Sequence, residues 1–353
     1  MEGTKFLGNE YENEILFWSV LRLAAVAITR VFHHPITPYF QSLPGIQNTN
    51  TTYASIRRWH RRSNSRVLAC RTLAKILHDG TREEAEYIFD AFANPTPQRE
   101  FDLLVASDGL GSPTRSLIFA HAEKTCIRSL NQYTSYFSIP YQDSDGTLAR
   151  WYNAPGRRCI LTRPNNAGKT IVFLSIISIS EKLQSHSKLS QNEQKQSTHK
   201  IFPDAGWEAS RVRAGMDTTD NFYMQSNAQV KLDSWSKGRM SVVGAAAFCP
   251  SPISGMGTTV AIVGAYILAG EISRYGTDYE KAFEAYESIM RPFVDTAQSL
   301  PPGAPAIANS ETAWGISVMN RLLGFVSWNG LESLLGRFGG PPADAIVLPG
   351  HEM

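Results

Sequence analysis

The hydrophobic pattern changes period twice along this chain, each time across a glycine-rich turn. Met240 to Val243 is a short apolar run stopped by Gly244, which suits a buried strand, whereas Thr258 to Ile272 carries a long apolar periodic pattern that suits a buried helix. The loop between them holds Pro250, Pro252 and the pair Gly255 and Gly257. Earlier, Leu103 to Ala106 reads as an apolar strand, and Ser107 to Arg115 as a turn entering a helix with Pro113 near its first position. Glycine lets a ligand reach the backbone, and the free amides opening a helix form an anion site at the positive end of its dipole. The loop before Thr258 is therefore the leading site candidate, suited to a negatively charged or electron-rich cofactor.

Elsewhere the period is mostly two. Tyr133 to Ile139, Cys159 to Leu161, Thr170 to Ile179 and Phe222 to Val230 read as strands; Arg150, Trp151 and Tyr152 beside them could line a cavity, though aromatic residues in strands are more often plain core. Ser180 to Lys200, rich in Ser, Gln and Lys, predicts a mobile connection, and Phe202 to Met216, with Trp207, a helix pair. Tyr279, Phe283, Tyr286, Met290 and Phe293 fall at helical spacing as a packing stripe that Pro301 to Pro305 ends, and residues 313 to 337 supply a last apolar helical segment. Ile15 to Phe32 is an apolar helical stretch interrupted by Arg22 and Arg30. A membrane anchor needs about 20 apolar residues. An arginine near its centre costs roughly 2.5 to 3.5 kcal/mol, which favours a buried or amphipathic helix over membrane association. Glu10, Glu12 and Glu14 stand where a secretory signal would be basic.

Composition narrows the partners. A chain of 353 residues, 42% hydrophobic and 19% charged, is ordinary for one large or two intimate globular domains. A net charge of +2 gives no field for steering onto nucleic acid, and the five arginines between Arg57 and Arg66 read as a solvated basic face. Cys70, Cys126, Cys159 and Cys249 have no metal or disulfide spacing, and adjacent His33 and His34 point apart, so no metal site is expected. A reducing, cytoplasmic setting fits. Asn166 to Thr170 ends like a phosphate loop, but Arg163 takes the place of its first glycine.

Two motifs together resemble the FAD-dependent aromatic hydroxylases, the single-component flavoprotein monooxygenases, and within them the tetracycline-hydroxylase-like branch common in fungal secondary metabolism. Gly238-Arg239-Met240, Gly244, Ala246-Ala247, Pro252, Gly255, Gly257 and Ala261 match the family's second flavin motif, and Asp108, Gly109, Ser112 and Arg115 match its Asp-Gly-x-x-Ser-x-x-Arg motif. The resemblance covers roughly residues 67 to 353. It implies a mixed α/β fold: an incomplete Rossmann-like FAD/NAD(P)-binding domain (67–125 and 231–300), an inserted β-sheet substrate region (126–230) that roofs the substrate, a divergent N-terminal segment (1–66) and C-terminal helices (301–353). It implies a reaction in which NAD(P)H reduces FAD, oxygen adds, and an aromatic or polyketide-like small molecule is hydroxylated or epoxidised. Cofactor contacts then fall on Arg71, Asp108, Gly109, Arg115, Gly244, Ala245, Pro252, Gly255, Gly257 and Thr258, with Arg115 a fixed positive fork for phosphate. No side chain is singled out as catalytic acid or base.

Three positions depart from the pattern. No Gly-x-Gly-x-x-Gly turn opens the chain, Cys70 takes the place of a cofactor-reaching arginine with Arg71 one residue late, and Ala245 takes the place of an aspartate that bonds the ribityl hydroxyls. The rival expectation is a flavin-free accessory or truncated member of the same family.

Overall fold

The structure is a computed structural model that describes residues 101–119, 123–165, 168–300, 303–328 and 346–350. The stretches around Ile15 to Phe32, His33 and His34, Arg57 to Arg66, and Cys70 and Arg71 lie outside the described residues, as does the end of the 313–337 segment.

In chain order the elements are β1 (Leu104–Ala106), α1 (Pro113–Phe119), α2 (Glu123–Cys126), β2 (Ile127–Pro140), β3 (Arg150–Ala154), β4 (Arg158–Pro164), β5 (Lys169–Ile177), α3 (Glu181–Gln184), α4 (Gln191–Ile201), α5 (Ala209–Thr218), β6 (Tyr223–Val230), β7 (Ser236–Lys237), β8 (Met240–Val242), α6 (Ala245–Phe248), α7 (Gly257–Tyr275), α8 (Tyr279–Gln298) and α9 (Ala313–Trp328). Helices and both parallel and antiparallel sheet are present, as a mixed α/β fold requires.

The smaller sheet has the order β1-β8-β7, with β1 and β8 parallel and Ala106 opposite Val242. Its apolar layer includes Val242, Val243, Ala247, Phe248, Val260, Phe283, Tyr286 and Met290, so the predicted stripe of α8 packs onto α6 and α7. The fit is close at Gly264, where a methyl group would stand 2.9 Å from the Phe248 ring and 3.3 Å from Met290. A side chain there would drive α7 off its neighbours.

The larger sheet is antiparallel, in the order β3-β4-β5-β2-β6. One face, through Phe137, Ile139, Ile160, Val172 and Leu174, buries against Phe202, Val212, Met216 and Phe222 of the α4–α5 layer and its flanks. Two expectations fail here. Ser180 to Lys200 is folded into α3, a 3-10 turn at His186–Lys188 and α4. Two of its core-facing polar residues are held by hydrogen bonds: Gln194 Nε2 donates to the carbonyls of His186 and Leu189 at 3.2 and 3.1 Å, and Thr198 meets Ser135 at 2.9 Å. Ser190 and Glu193 form the capping box that starts α4. The Phe202 to Met216 stretch yields one helix, α5, because Gly206 and Trp207, at φ 79° and 48°, turn the chain before it.

Candidate functional site

Because β1 and β8 run parallel side by side, both leave the sheet at the same carboxyl edge, and the two loop-to-helix junctions emerge next to each other. In parallel sheets that edge is where ligands bind. The Val243 amide donates to Ala106 O at 2.9 Å, continuing the pairing to the last strand residue.

The first junction is built by Asp108. Its carboxylate accepts from the Ser112 hydroxyl and, at 3.0 Å, from the Thr114 amide, while Ser112 Oγ accepts from the Arg115 amide at 2.9 Å. A φ of 84° at Gly109 lets the chain double back. Arg115 is fully buried: Nη1 donates to Gly109 O at 3.2 Å and Ala246 O at 2.9 Å, Nη2 donates to Leu110 O at 2.7 Å, and Nε has no partner in the structure. The guanidinium is a brace that ties the first junction to the second. Both of its terminal nitrogens donate to carbonyls, so much of the fork expected to meet phosphate is engaged within the protein.

The second junction runs from Gly244, at φ 67°, through α6 to Gly257. The short helix α6 interrupts a stretch whose sequence predicts loop throughout. Ser251 Oγ accepts from Ile253 N at 3.3 Å, Ser254 Oγ donates to Ser251 O at 3.0 Å and accepts from Met256 N at 3.1 Å, and Gly255 is left-handed at φ 64°. No side chain caps α7 at Met256, its first turn holds no acidic residue, and nothing lies within 4 Å of where a Cβ on Gly257 would stand. The 19-residue helix thus presents its positive end behind an open notch. That fits the electron-rich edge of a flavin. Ala245 fits less well, as its methyl group is 5% exposed within the apolar core and accepts no hydrogen bond. Cys249, also in this junction, is inert, since burial pushes its thiol up to about 11 despite the opposing Ser251 amide and Arg115 charge.

The larger sheet reaches the second junction at the end of β6. Side chains alternate along β6, so Tyr223, Gln225, Asn227 and Gln229 share one face, and Gln229 Nε2 reaches Pro250 O of the junction at 3.3 Å. On that face the register lines up Trp151, Leu161, Phe173, Tyr136 and Tyr223 in one row across all five strands. Tyr136 stacks on Tyr223 at 4.7 Å and meets Phe173 edge-on at 5.1 Å, and neither hydrophobic core includes these three rings. Of the three cavity candidates on β3, only Trp151 points this way. Tyr152 stacks on Trp207 under the helical layer, and Arg150 sits 5.3 Å over the same indole.

Sequence comparison agrees with the geometry. A family profile described as FAD binding domain matches residues 50–299. The chain belongs to that family. It is 34% identical over 265 residues to Monooxygenase CTB7 of Cercospora beticola, covering 73% of this chain and 63% of that one, and 36% identical over 242 residues to the FAD-dependent monooxygenase asL6 of Sarocladium schorii, covering 67% and 56%. The chain therefore spans about three fifths of the length of these relatives. Among solved structures, tetracycline destructase Tet(55) superposes with a TM-score of 0.53 at 27% identity over 71% of this chain and 63% of that one. These relatives are named as flavin-dependent monooxygenases, the type that the two motifs of this chain resemble.

Among the described residues there is no group of three or more metal-type ligands and no helix long and apolar enough to cross a membrane. Sequence reasoning missed the aromatic row and the glutamines Gln229 and Gln298. The row was legible as period-2 alternation once register is known; the glutamines carried no local signal.

Proposed function

We propose that this chain binds FAD at the paired junctions and takes part in NAD(P)H- and O2-dependent hydroxylation or epoxidation of a flat aromatic or polyketide-like molecule. The observation that carries the reading is the uncapped, side-chain-free opening of α7 at Gly257, set on the same sheet edge as the Asp108 turn. Amides at Gly257 and Thr258 would meet the negative charge of a reduced flavin. Pro252 and Gly255 shape the loop that delivers them, Gly244 turns the chain in, and Asp108 and Gly109 hold the neighbouring turn. Arg115 acts through those loops, and Arg71 would contact the cofactor from outside the described residues.

Bound there, FAD supplies the redox and oxygen chemistry. The protein's part is to hold and orient it, to lay the substrate on the row from Trp151 to Tyr223, and to keep water away. Five strands at about 4.8 Å spacing make that row about 19 Å long, room for a fused-ring molecule such as those the tetracycline destructases are named for.

The test is direct. The purified full chain, incubated with FAD and desalted, is expected to show flavin absorbance that NAD(P)H bleaches, and Gly257→Val to abolish retention by filling the notch. A colourless, folded protein that ignores added FAD would overturn the reading in favour of a flavin-free relative.

A further inference from the structure

Resting on that reading, we infer that Gln229 and Gln298 are positioning residues that clamp the Cys249–Gly257 loop and so set how tightly the cofactor is held. The loop needs outside donors. Pro250 and Pro252 have no N–H, so the near half of the loop offers carbonyls and little else. Its far half is held by its own serines, Ser251 and Ser254.

The near half is held by two side-chain amides whose four protons are all used. Gln229 Nε2 donates to Pro250 O at 3.3 Å and to Gln298 O at 2.7 Å; Gln298 Nε2 donates to Val230 O at 2.7 Å and to Cys249 O at 3.3 Å. The Val230 amide adds a bond to Cys249 O at 3.0 Å. Both glutamines are buried, 6% and 5% exposed. They join three segments far apart in sequence: strand β6 of the substrate-side sheet, the junction loop, and the last turn of α8, whose carbonyl at Gln298 has no partner within its helix. An apolar side chain of the same length would fill the space but remove these donors, leaving Cys249 O with the Val230 amide alone, so the pair trades hydrophobic packing for directional hold. The consequence is that the loop facing the cofactor cannot shift without breaking bonds to both the sheet and α8.

The experiment uses the full chain and the variants Gln298→Met, Gln229→Met and Gln298→Glu, with hydrogen exchange over residues 249–260 and FAD titration by flavin fluorescence. Both Met variants are expected to exchange about tenfold faster in the loop with the middle of α8 unchanged, and to bind FAD about tenfold more weakly. Gln298→Glu adds a signature that lost packing would not produce. Its affinity recovers as pH falls, because the neutral carboxyl regains one donor while the ionised one faces carbonyls. It also serves if the Met variants fail to fold. If the parent binds FAD and the variants bind it within twofold, with no pH dependence for Glu, the inference is overturned. Should the parent bind no FAD, the cofactor reading fails separately, and unchanged loop exchange in the variants overturns the clamp on its own.

Discussion

Acid should unfold this protein through one carboxylate on the larger sheet. Asp145 ends the 3-10 turn between β2 and β3 and is 2% exposed. It accepts from Arg211 Nη2 and Nη1 at 2.7 and 2.8 Å, Arg150 Nη2 at 3.2 Å, Thr170 Oγ1 at 2.7 Å and the Gln142 amide at 3.0 Å. Burial by itself raises the pKa, but the bonds to Arg211, Thr170 and Gln142 outweigh it and hold the group at about 2 against an unperturbed 3.8. A carboxyl whose folded pKa is depressed contributes stability that is fully present above the unfolded value and is lost as pH falls through the folded one. The window is therefore pH 4 down to 2, and at 1.36 kcal/mol per unit the contribution is on the order of 2 kcal/mol. Asp145→Asn removes the proton-linked part, leaves Arg150 without its counter-ion and leaves Arg211 with Glu208 alone, at a cost of about 2 to 3 kcal/mol at pH 7. Urea midpoints of parent and variant at pH 7, 4, 3 and 2.5 test this. The stability gap should narrow steadily below pH 4; curves that stay parallel to pH 2.5 would refute the assignment.

Two further outcomes concern the junctions. Arg115→Met strips three carbonyls of their charged donor and should cost about 3 to 5 kcal/mol, seen as a melting temperature lower by roughly 10 °C; a loss under about 1 kcal/mol would mean the brace does not hold the loops together. Ala245→Asp should lower the melting temperature of the cofactor-free protein, because the methyl group it replaces is buried, yet tighten FAD about tenfold by offering the ribityl chain an acceptor; unchanged affinity would count against the assigned pose.

How much of this was legible depended on whether a residue's role is local. The strand, turn and helix at Leu104 to Phe119 and at Met240 to Tyr275 are coded by apolar period and by Pro and Gly at fixed offsets, so they were readable from the chain alone. The segment from Ser180 to Lys200 folds against its polar composition because the side chains it buries are not hydrophobic. Its core-facing Gln194, Ser197 and Thr198 are polar, and the Ser190–Glu193 box that marks the start of α4 was the clue available. Arg115 shows the same limit: its charge suggests an anion, and only the fold shows that carbonyls at positions 109, 110 and 246 meet its terminal nitrogens.

The same limit explains Gln229 and Gln298, which are 69 residues apart and share no pattern. Their meaning exists only once β6 and α8 both end beside Pro250. Local sequence therefore specifies each junction, whereas β1–β8 pairing and the Arg115 brace set them side by side, and two amides tie the second to β6 and α8. If those bonds set the cofactor loop, substitutions at 115, 229 and 298 should alter flavin affinity more than equally buried substitutions in the α4–α5 core, such as Val212→Ala, which touch only the far face of the sheet.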